Sequence, residues 1–465
     1  MAIQEQVNVN VESNGRSANW SSRVTFILAA GGAAVGLGNI WKFPYIVGEN
    51  GGAAFIAVYL VCIAIVGIPV MIAEITIGRM GRQNPVKSIS NICKNYGISK
   101  NWKVLGFVCV LASFTILSFY SVVGGWVLHY VVLTMSQSFS GLDQAGVEGA
   151  FSDLVSSPSL LLFWHFVFMG ATMMIVSRGI KGGIEKVVTF CMPTLFAILV
   201  ILAVYSATTD GFREAISYLF NPDFEELTSE GVIVALGHAF FTLGLGMGTM
   251  IAYGAYLDKD VSIVRVSCLV ALLDTIVALL AGLAIFPVIF SNNMPPESGT
   301  GLIFQALPLA FSNMPFGSYF GILFFLLLTM AALTSSISVL EPVVQYLEEK
   351  YELARRRATL IAGGACWAVG VFSAFSLNLL SDFHPMTFIT AFEDKTIMGV
   401  LEFVSSNIML PLSGLISAIF VGWVITKKVG RDNSFGSGTV GSFLVATTKY
   451  ITPLAILVVF ASSVL

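Results

Sequence analysis

Asp274 lies in the run VALLDTIVALLAG, with no basic residue within eight positions of it. A carboxylate in such apolar company either keeps its proton and hydrogen-bonds to a neighbouring segment, or meets a cation. Few side-chain cations stand at comparable positions, so a bound metal ion is the favoured partner and a protonated acid the alternative. Sodium takes several hard oxygen ligands, and oxygen donors recur elsewhere in the chain. GGAAVGLGN, Gly31–Asn39, offers unwound carbonyls at Gly32, Ala34 and Val35 and the side chain of Asn39. FFTLGLGMG, Phe240–Gly248, adds the Thr242 hydroxyl, and MAALTSSIS brings Thr334 and Ser335 on adjacent positions. A single Ser or Thr in an apolar helix more often bonds its own helix backbone or a neighbouring helix; the combination carries the ion-binding reading.

The same glycine-rich stretches suit a zwitterion. A half-helix resuming after a break presents free amides and the positive end of a dipole to a carboxylate, and the carbonyl end before a break suits an ammonium. Gly36 and its neighbours are neutral, so an amine lacking a carboxylate would find no acid there.

Other constellations carry less. GLGNIW and GLGMGT do not complete a nucleotide-binding glycine fingerprint. His129, His165, His238 and His384 are scattered singly, and no pair among the six cysteines has metal or redox spacing, so neither metal or haem ligation by these residues nor an organic cofactor is expected. No nucleophile–base pair stands out, which argues against an enzyme. Glu74, in GIPVMIAEITIGR, either bonds unwound backbone or carries a proton. Lys42 either gates or snorkels to an interface. Glu341 and Glu185 read as helix-to-helix contacts or boundary surface groups, and Arg355, Arg356 and Arg357 as topology anchors.

These residues sit in a chain that is 56% hydrophobic and 11% charged, with mean hydropathy +0.85, too little polar surface to cover a soluble globule. The expected class is an all-α integral membrane protein. A bilayer core of about 30 Å needs about 20 apolar residues per helix, and eleven such runs occur, near 24–48, 54–79, 104–135, 159–177, 185–207, 231–257, 263–290, 318–348, 357–378, 397–426 and 446–465. The polar start and the length of the first run argue against a cleaved signal peptide. With the N-terminus inside, all but Lys42, Arg213 and Lys395 of the 24 Lys and Arg fall on the cytoplasmic side, so the C-terminus is expected outside. The net charge of −3 and the scattered basic residues give no reason to expect nucleic-acid binding. Lipid breaks helices only where the freed backbone lines a protected polar site. Two breaks in the first and sixth runs, about 200 residues apart, therefore mark a central binding site of a transporter.

WSSRVTFILAAGGAAVGLGNIWKFPYIVGENGGAAF, from Trp20, resembles the first-span signature of the neurotransmitter:sodium symporter family, whose bacterial members carry amino acids. GIPVMIAEITIGRMG, FFTLGLGMG and LTSSISVLEPVV continue the resemblance in order to the C-terminus, and eleven spans resemble several bacterial members.

The resemblance implies two inverted five-helix repeats with broken helices 1 and 6. Residues 1–23 would form a cytoplasmic tail with inner-gate residues, 24–207 the first repeat, 208–230 an extracellular loop, 231–426 the second repeat, and 427–465 a cytoplasmic loop and a peripheral eleventh helix. One sodium site would use Ala34, Asn39, Thr242 and Asp274 with the substrate carboxylate, and a second Gly32, Val35, Ala331, Thr334 and Ser335. Tyr120 would bind the substrate carboxylate, Phe241 would close as a lid, and Ala33, Ile116, Gly244, Met247, Ser335 and Val339 would line the side-chain pocket. Ala34, Gly36, Gly38 and Thr242 complete the expected substrate shell. Gating residues would be Trp20, Lys42, Glu74 and Phe241. Lys42 would pair with Glu402 or Asn407, and Arg16, Arg23 and Glu349 would join Trp20 in the inner gate. Gly183 and Pro193 either unwind the fifth span during opening or merely kink it. A fixed charge at Asp274, where chloride-requiring members have a neutral residue, implies chloride independence. Gly244 and Met247 leave room for a large hydrophobic or aromatic L-amino acid. The expected activity is two-sodium symport across the cytoplasmic membrane by a monomer or weak homodimer. A carrier of small amino acids or osmolytes, or a binding sensor, is the alternative; the short tail argues against a sensor with an appended soluble domain.

Overall fold

In a lipid core every backbone amide must bond within its own segment, so apolar runs of this length fold as helices. The computed structural model describes residues 20–295, 301–429, 435–436 and 438–464, and no strand occurs among them. Arg16 lies outside the described residues.

The chain enters at Ser22, whose side chain caps α1 (Arg23–Ala34) in a reciprocal capping box with Thr25. α2 (Gly38–Glu49) resumes after a bend of 50°. Then follow α3 (Ala53–Gly81), α4 (Pro85–Asn95), α5 (Lys100–Met135), α6 (Gln144–Ser156), α7 (Pro158–Val176), α8 (Ile180–Ser206) and α9 (Phe212–Phe220). The sixth apolar run is divided into α10 (Ser229–Thr242) and α11 (Thr249–Gly254). α12 (Ile263–Ser291), α13 (Leu302–Ser312), α14 (Gly317–Tyr351), α15 (Arg355–Phe375), α16 (Ile397–Val429) and α17 (Gly438–Ser462) complete the chain. Among the described residues nine helices are long and apolar enough to cross a membrane, or ten if α1 and α2 count as one. The protein is a multi-pass membrane protein.

Five wide π turns end two residues before a proline: Gly38–Lys42 before Pro44, Ile63–Gly67 before Pro69, Leu302–Ala306 before Pro308, Val404–Met409 before Pro411, and Thr447–Ile451 before Pro453. A proline ring clashes with the carbonyl four residues back and donates no bond; widening that turn keeps the helix continuous instead of breaking it. Hydropathy placed the eleventh run at 446–465, yet α17 starts at Gly438. Its polar residues are absorbed locally: Thr447 and Thr448 return their hydroxyls to Phe443 and Leu444 carbonyls, and Lys449 lies 4.3 Å over the Trp423 ring. The ninth run ends earlier than expected, at Phe375, and the expected 208–230 loop contains α9, whose Tyr218 hydroxyl donates to the Val47 and Gly48 carbonyls.

The two broken helices occupy the centre. α1 packs against α8, α12 and α14, α10 and α11 run along α3, and α5 lies along α14. α8 is wound through Pro193 as one helix, with Gly183 in its first turn because a Cβ there would strike the Ile175 carbonyl.

Candidate functional site

The first break is shorter than the glycine pattern suggests. Gly31 and Gly32 are helical, and the backbone leaves α1 only at Val35, whose amide still bonds the Gly31 carbonyl at 2.6 Å. Unwinding at Gly32 is not needed to present its oxygen, because the last four carbonyls of any helix lack an intrahelical partner.

The second break spans Leu243–Gly248 and depends on glycine, with positive φ at Gly244 (62°), Gly246 (83°) and Gly248 (76°). Its backbone is satisfied from three neighbouring helices. The Gly246 amide donates to Glu74 Oε1 of α3 at 2.8 Å, Ser413 Oγ of α16 donates to the Gly246 carbonyl at 2.7 Å, and Ser113 Oγ of α5 donates to the Met247 carbonyl at 2.5 Å. Of the two roles open to Glu74, the geometry displays the bond to unwound backbone; its Oε2 has no hydrogen-bond partner among the described residues.

Asp274, fully buried on α12, is reached by both broken helices. Asn39 Nδ2 donates to Oδ1 at 2.7 Å and to the Asp274 carbonyl at 3.1 Å. Thr242 Oγ1 donates to Oδ1 and Oδ2 at 3.1 and 3.3 Å, and Tyr59 of α3 donates to Oδ2 at 3.3 Å. Three donors suit an acceptor-only carboxylate. The Asn39 oxygen, expected among the ion ligands, instead accepts the Gly36 amide at 3.0 Å. A cation beside Asp274 thus meets carboxylate and hydroxyl oxygens directly, and gains the Asn39 oxygen only if that amide rotates.

The second oxygen cluster joins α1 to α14. Ser335 Oγ donates to the Gly32 and Val35 carbonyls at 3.4 and 3.3 Å. Thr334 Oγ1 bonds the Met330 and Ala331 carbonyls of its own helix at 3.0 and 3.1 Å, the ordinary use of a helix threonine, while lying against Gly32. Gly32, Val35, Ala331, Thr334 and Ser335 are therefore brought together, all buried. Hard oxygens without thiolate or imidazole fit an alkali cation.

Between the clusters, the Tyr120 hydroxyl of α5 is buried without a completed bond and faces the Leu37 amide and the Ser335 hydroxyl. A Cβ on Gly36 would strike Ser335 Oγ at 2.5 Å, so glycine is what lets α1 and α14 approach here. Gly38 lies under the Phe241 ring. Gly244 borders Ala33: a Cβ on it would meet only the Ala33 backbone, at 3.5 Å and beyond.

Above Phe241 and Tyr120 opens a cavity of about 440 Å³, walled by aromatic residues including Trp41, Trp126 and Phe304. Lys42 Nζ lies 4.5 Å over the Phe241 ring, and Glu402 lines the same cavity and attracts Lys42. Of the two acids or amides weighed as its partner, Glu402 stands in this cavity and Asn407 does not. On the opposite side Trp20 is buried in a packed cluster. Trp20 meets Phe26 and Tyr253 edge-on, its indole donates to the Tyr253 carbonyl at 3.2 Å, and the Tyr253 hydroxyl bonds Ser338 Oγ at 2.8 Å. Glu349 accepts from the Asn84 backbone and side chain, fixing α4. Arg355 is more than a surface anchor: it bonds buried Glu341, Glu348 at 3.0 Å, and the Val176 carbonyl at 3.0 Å. Glu185 accepts from the Ser21 amide.

Tyr59, Ser113 and Ser413 escaped the sequence reading. Each is a lone hydroxyl in an apolar run, and only the packing shows which carbonyl or carboxylate it meets. His165 bonds Ser121 at 2.9 Å and His238 packs between Phe43 and Tyr59; no metal-holding group of His, Cys, Asp or Glu occurs among the described residues.

The sodium:neurotransmitter symporter family model matches residues 17–144 and 151–465. The chain belongs to this family. It is 36% identical over 452 residues to YhdH of Bacillus subtilis (strain 168), described as an uncharacterised sodium-dependent transporter, covering 96% of this chain and 98% of that one. A sodium-dependent transporter of Haemophilus influenzae is 35% identical over 458 residues, covering 97% and 99%. Among solved structures, MhsT in complex with L-phenylalanine superposes with a TM-score of 0.88 at 40% identity, covering 97% of this chain and all of that one. The protein is accordingly a sodium-coupled membrane transporter.

Proposed function

We propose that the chain is a chloride-independent symporter that uses two sodium ions to import a large hydrophobic or aromatic L-amino acid. The observation that carries the reading is the convergence of two clusters of oxygen groups on one helix break, with the buried Tyr120 hydroxyl, facing the Leu37 amide and the Ser335 hydroxyl, between them. Asp274, Thr242, Asn39 and the Ala34 carbonyl would hold one ion; Gly32, Val35, Ala331, Thr334 and Ser335 would hold the other. Sodium supplies the charge that lets the first cluster also take the substrate carboxylate, which the Tyr120 hydroxyl and the Leu37 amide then orient.

The substrate side chain would lie toward Ile116, Met247 and Val339. The missing side chain at Gly244, where a Cβ would touch only the Ala33 backbone, and an adaptable methionine support a large group, as does the phenylalanine held by MhsT. Eleven spans result if α1 with α2 and α10 with α11 each cross once; two inverted repeats and a cytoplasmic N-terminus belong to the same proposal. Phe241, held under Lys42, would then shut the cavity as a lid. The central bundle would rock against the remaining helices to open the Trp20 side.

The test is competition for bound radiolabelled L-phenylalanine in saturating sodium. Displacement by tryptophan, tyrosine and leucine at concentrations at least about tenfold below those of glycine and alanine is expected, since a lost methylene or ring contact costs about 1–3 kcal/mol. Equal or better displacement by the small amino acids would overturn the substrate class.

A further inference from the structure

A groove of about 480 Å³ runs between α7 and α15 on the outer face of the bundle, away from the central site. Its two walls match in length. Ser177 and Phe166 on one wall are eleven positions apart, as are Arg356 and Trp367 on the other. At one end the Arg355 guanidinium bonds the Val176 carbonyl at 3.0 Å, and at the other the rings of Phe166 and Trp367 meet at 6.3 Å. Eleven helical positions rise about 16 Å, close to half of the roughly 30 Å bilayer core. The groove therefore extends from the interface to about the membrane midplane, the depth of one leaflet.

Its chemistry is graded along that length. The deep end is aromatic and the middle is lined by Met173 and Met174, while a Cβ on Gly170 or Gly364 would meet nothing, so both leave the channel open. The shallow end carries exposed Arg356, with Arg357 next to it and Arg178 beside Ser177, and among the described residues no Asp or Glu lines the groove. Arg355, the neighbour that is paired, turns inward to Glu341. An occupant must fit one leaflet, present an acyl chain to methionine and aromatic surface, and bring negative charge to the arginines. We propose that the α7–α15 groove is a binding site for one anionic phospholipid of the leaflet facing Arg356, its phosphate at Arg356 and one acyl chain reaching Trp367.

The experiment uses the full chain reconstituted in nanodiscs and reads the fluorescence of Trp367, isolated by subtracting a Trp367→Phe variant. The probes are phosphatidylglycerol and phosphatidylcholine brominated at mid-chain, titrated into unbrominated lipid. Brominated phosphatidylglycerol should quench Trp367 at about a fivefold lower mole fraction than brominated phosphatidylcholine, the weight of one arginine near an anionic surface. Arg356→Gln should abolish that preference, and Gly364→Leu, which fills open space, should reduce quenching by both. Equal quenching by the two lipids in the wild-type protein overturns the proposal, and that reading requires only the conservative Trp367→Phe variant beside the wild type. A preference that survives Arg356→Gln, or quenching unchanged by Gly364→Leu, overturns it as well. So does protection of Trp367 from both lipids by a second copy, detected as a cross-linked dimer.

Discussion

Replacing Asp274 with asparagine changes one charge at nearly constant shape. Asn39 Nδ2 can only donate, so the remaining carbonyl oxygen of the new side chain should stay with it, where the 2.7 Å bond now lies. The new amide would then face the hydroxyls of Tyr59 and Thr242, which can turn to accept. Folding should lose only about 1 kcal/mol, the net value of an exchanged hydrogen bond. The ion should lose far more. A unit charge about 4 Å from a cation at an effective dielectric near 20 contributes about 4 kcal/mol, almost 10³-fold in affinity. The assay is sodium titration of labelled L-phenylalanine binding to purified protein, in sodium-free buffer balanced with a large organic cation. Half-saturating sodium should rise by between about 10² and 10³-fold in Asp274→Asn, and added chloride should recover part of the loss while leaving the wild type unaffected. Tyr59→Phe, which removes one 3.3 Å donor and no charge, should shift the midpoint by about fivefold or less, consistent with about 1 kcal/mol. An Asp274→Asn protein that binds phenylalanine with unchanged sodium dependence would refute the reasoning.

Glu74→Gln keeps an oxygen for the Gly246 amide and should transport and melt nearly as the wild type does. Glu74→Ala, leaving that buried amide unpaired, should lose about 1–3 kcal/mol, read as a lower melting temperature in detergent. Trp20→Ala removes the plug packed on Phe26 and Tyr253, so Ser338→Cys, beneath Tyr253, should be alkylated at least about tenfold faster from the Trp20 side; an unchanged rate would contradict the role of Trp20 as that plug. Arg355→Ala removes the guanidinium bonded to buried Glu341 and should cost about 3–5 kcal/mol in thermal unfolding, while Arg356→Ala, being exposed, should cost less than about 0.5 kcal/mol.

Much of this architecture was legible in the chain because lipid tolerates few backbone solutions. Apolar runs gave helices, and glycine clusters gave both breaks to within a few residues. The misplacements have local causes. Gly31 and Gly32 looked like the start of an unwound stretch, yet the helix persists through them and presents carbonyls simply by ending. The polar Thr447–Lys449 stretch hid the start of α17, because its hydroxyls bond their own backbone and its lysine lies over Trp423. At the site, the oxygen donors of the glycine-rich motifs were legible from residue type, while their division between two sites came from the family resemblance; the structure brings Asn39 and Thr242 to Asp274 and Ser335 to the Gly32 and Val35 carbonyls. Tyr59, Ser113 and Ser413 could not: their partners are 134 to 215 positions away and belong to other helices. Asn39 shows a further limit, since the family resemblance groups it with Asp274 but does not say which end of its amide faces the carboxylate.

The most direct measurement is accumulation of labelled L-phenylalanine in liposomes containing only this protein, under an inward sodium gradient, with gluconate in place of chloride. The account predicts uptake above the external concentration that collapses when sodium is equal on both sides or replaced by potassium. Sodium-dependent binding without accumulation, or accumulation indifferent to the sodium gradient, would contradict it.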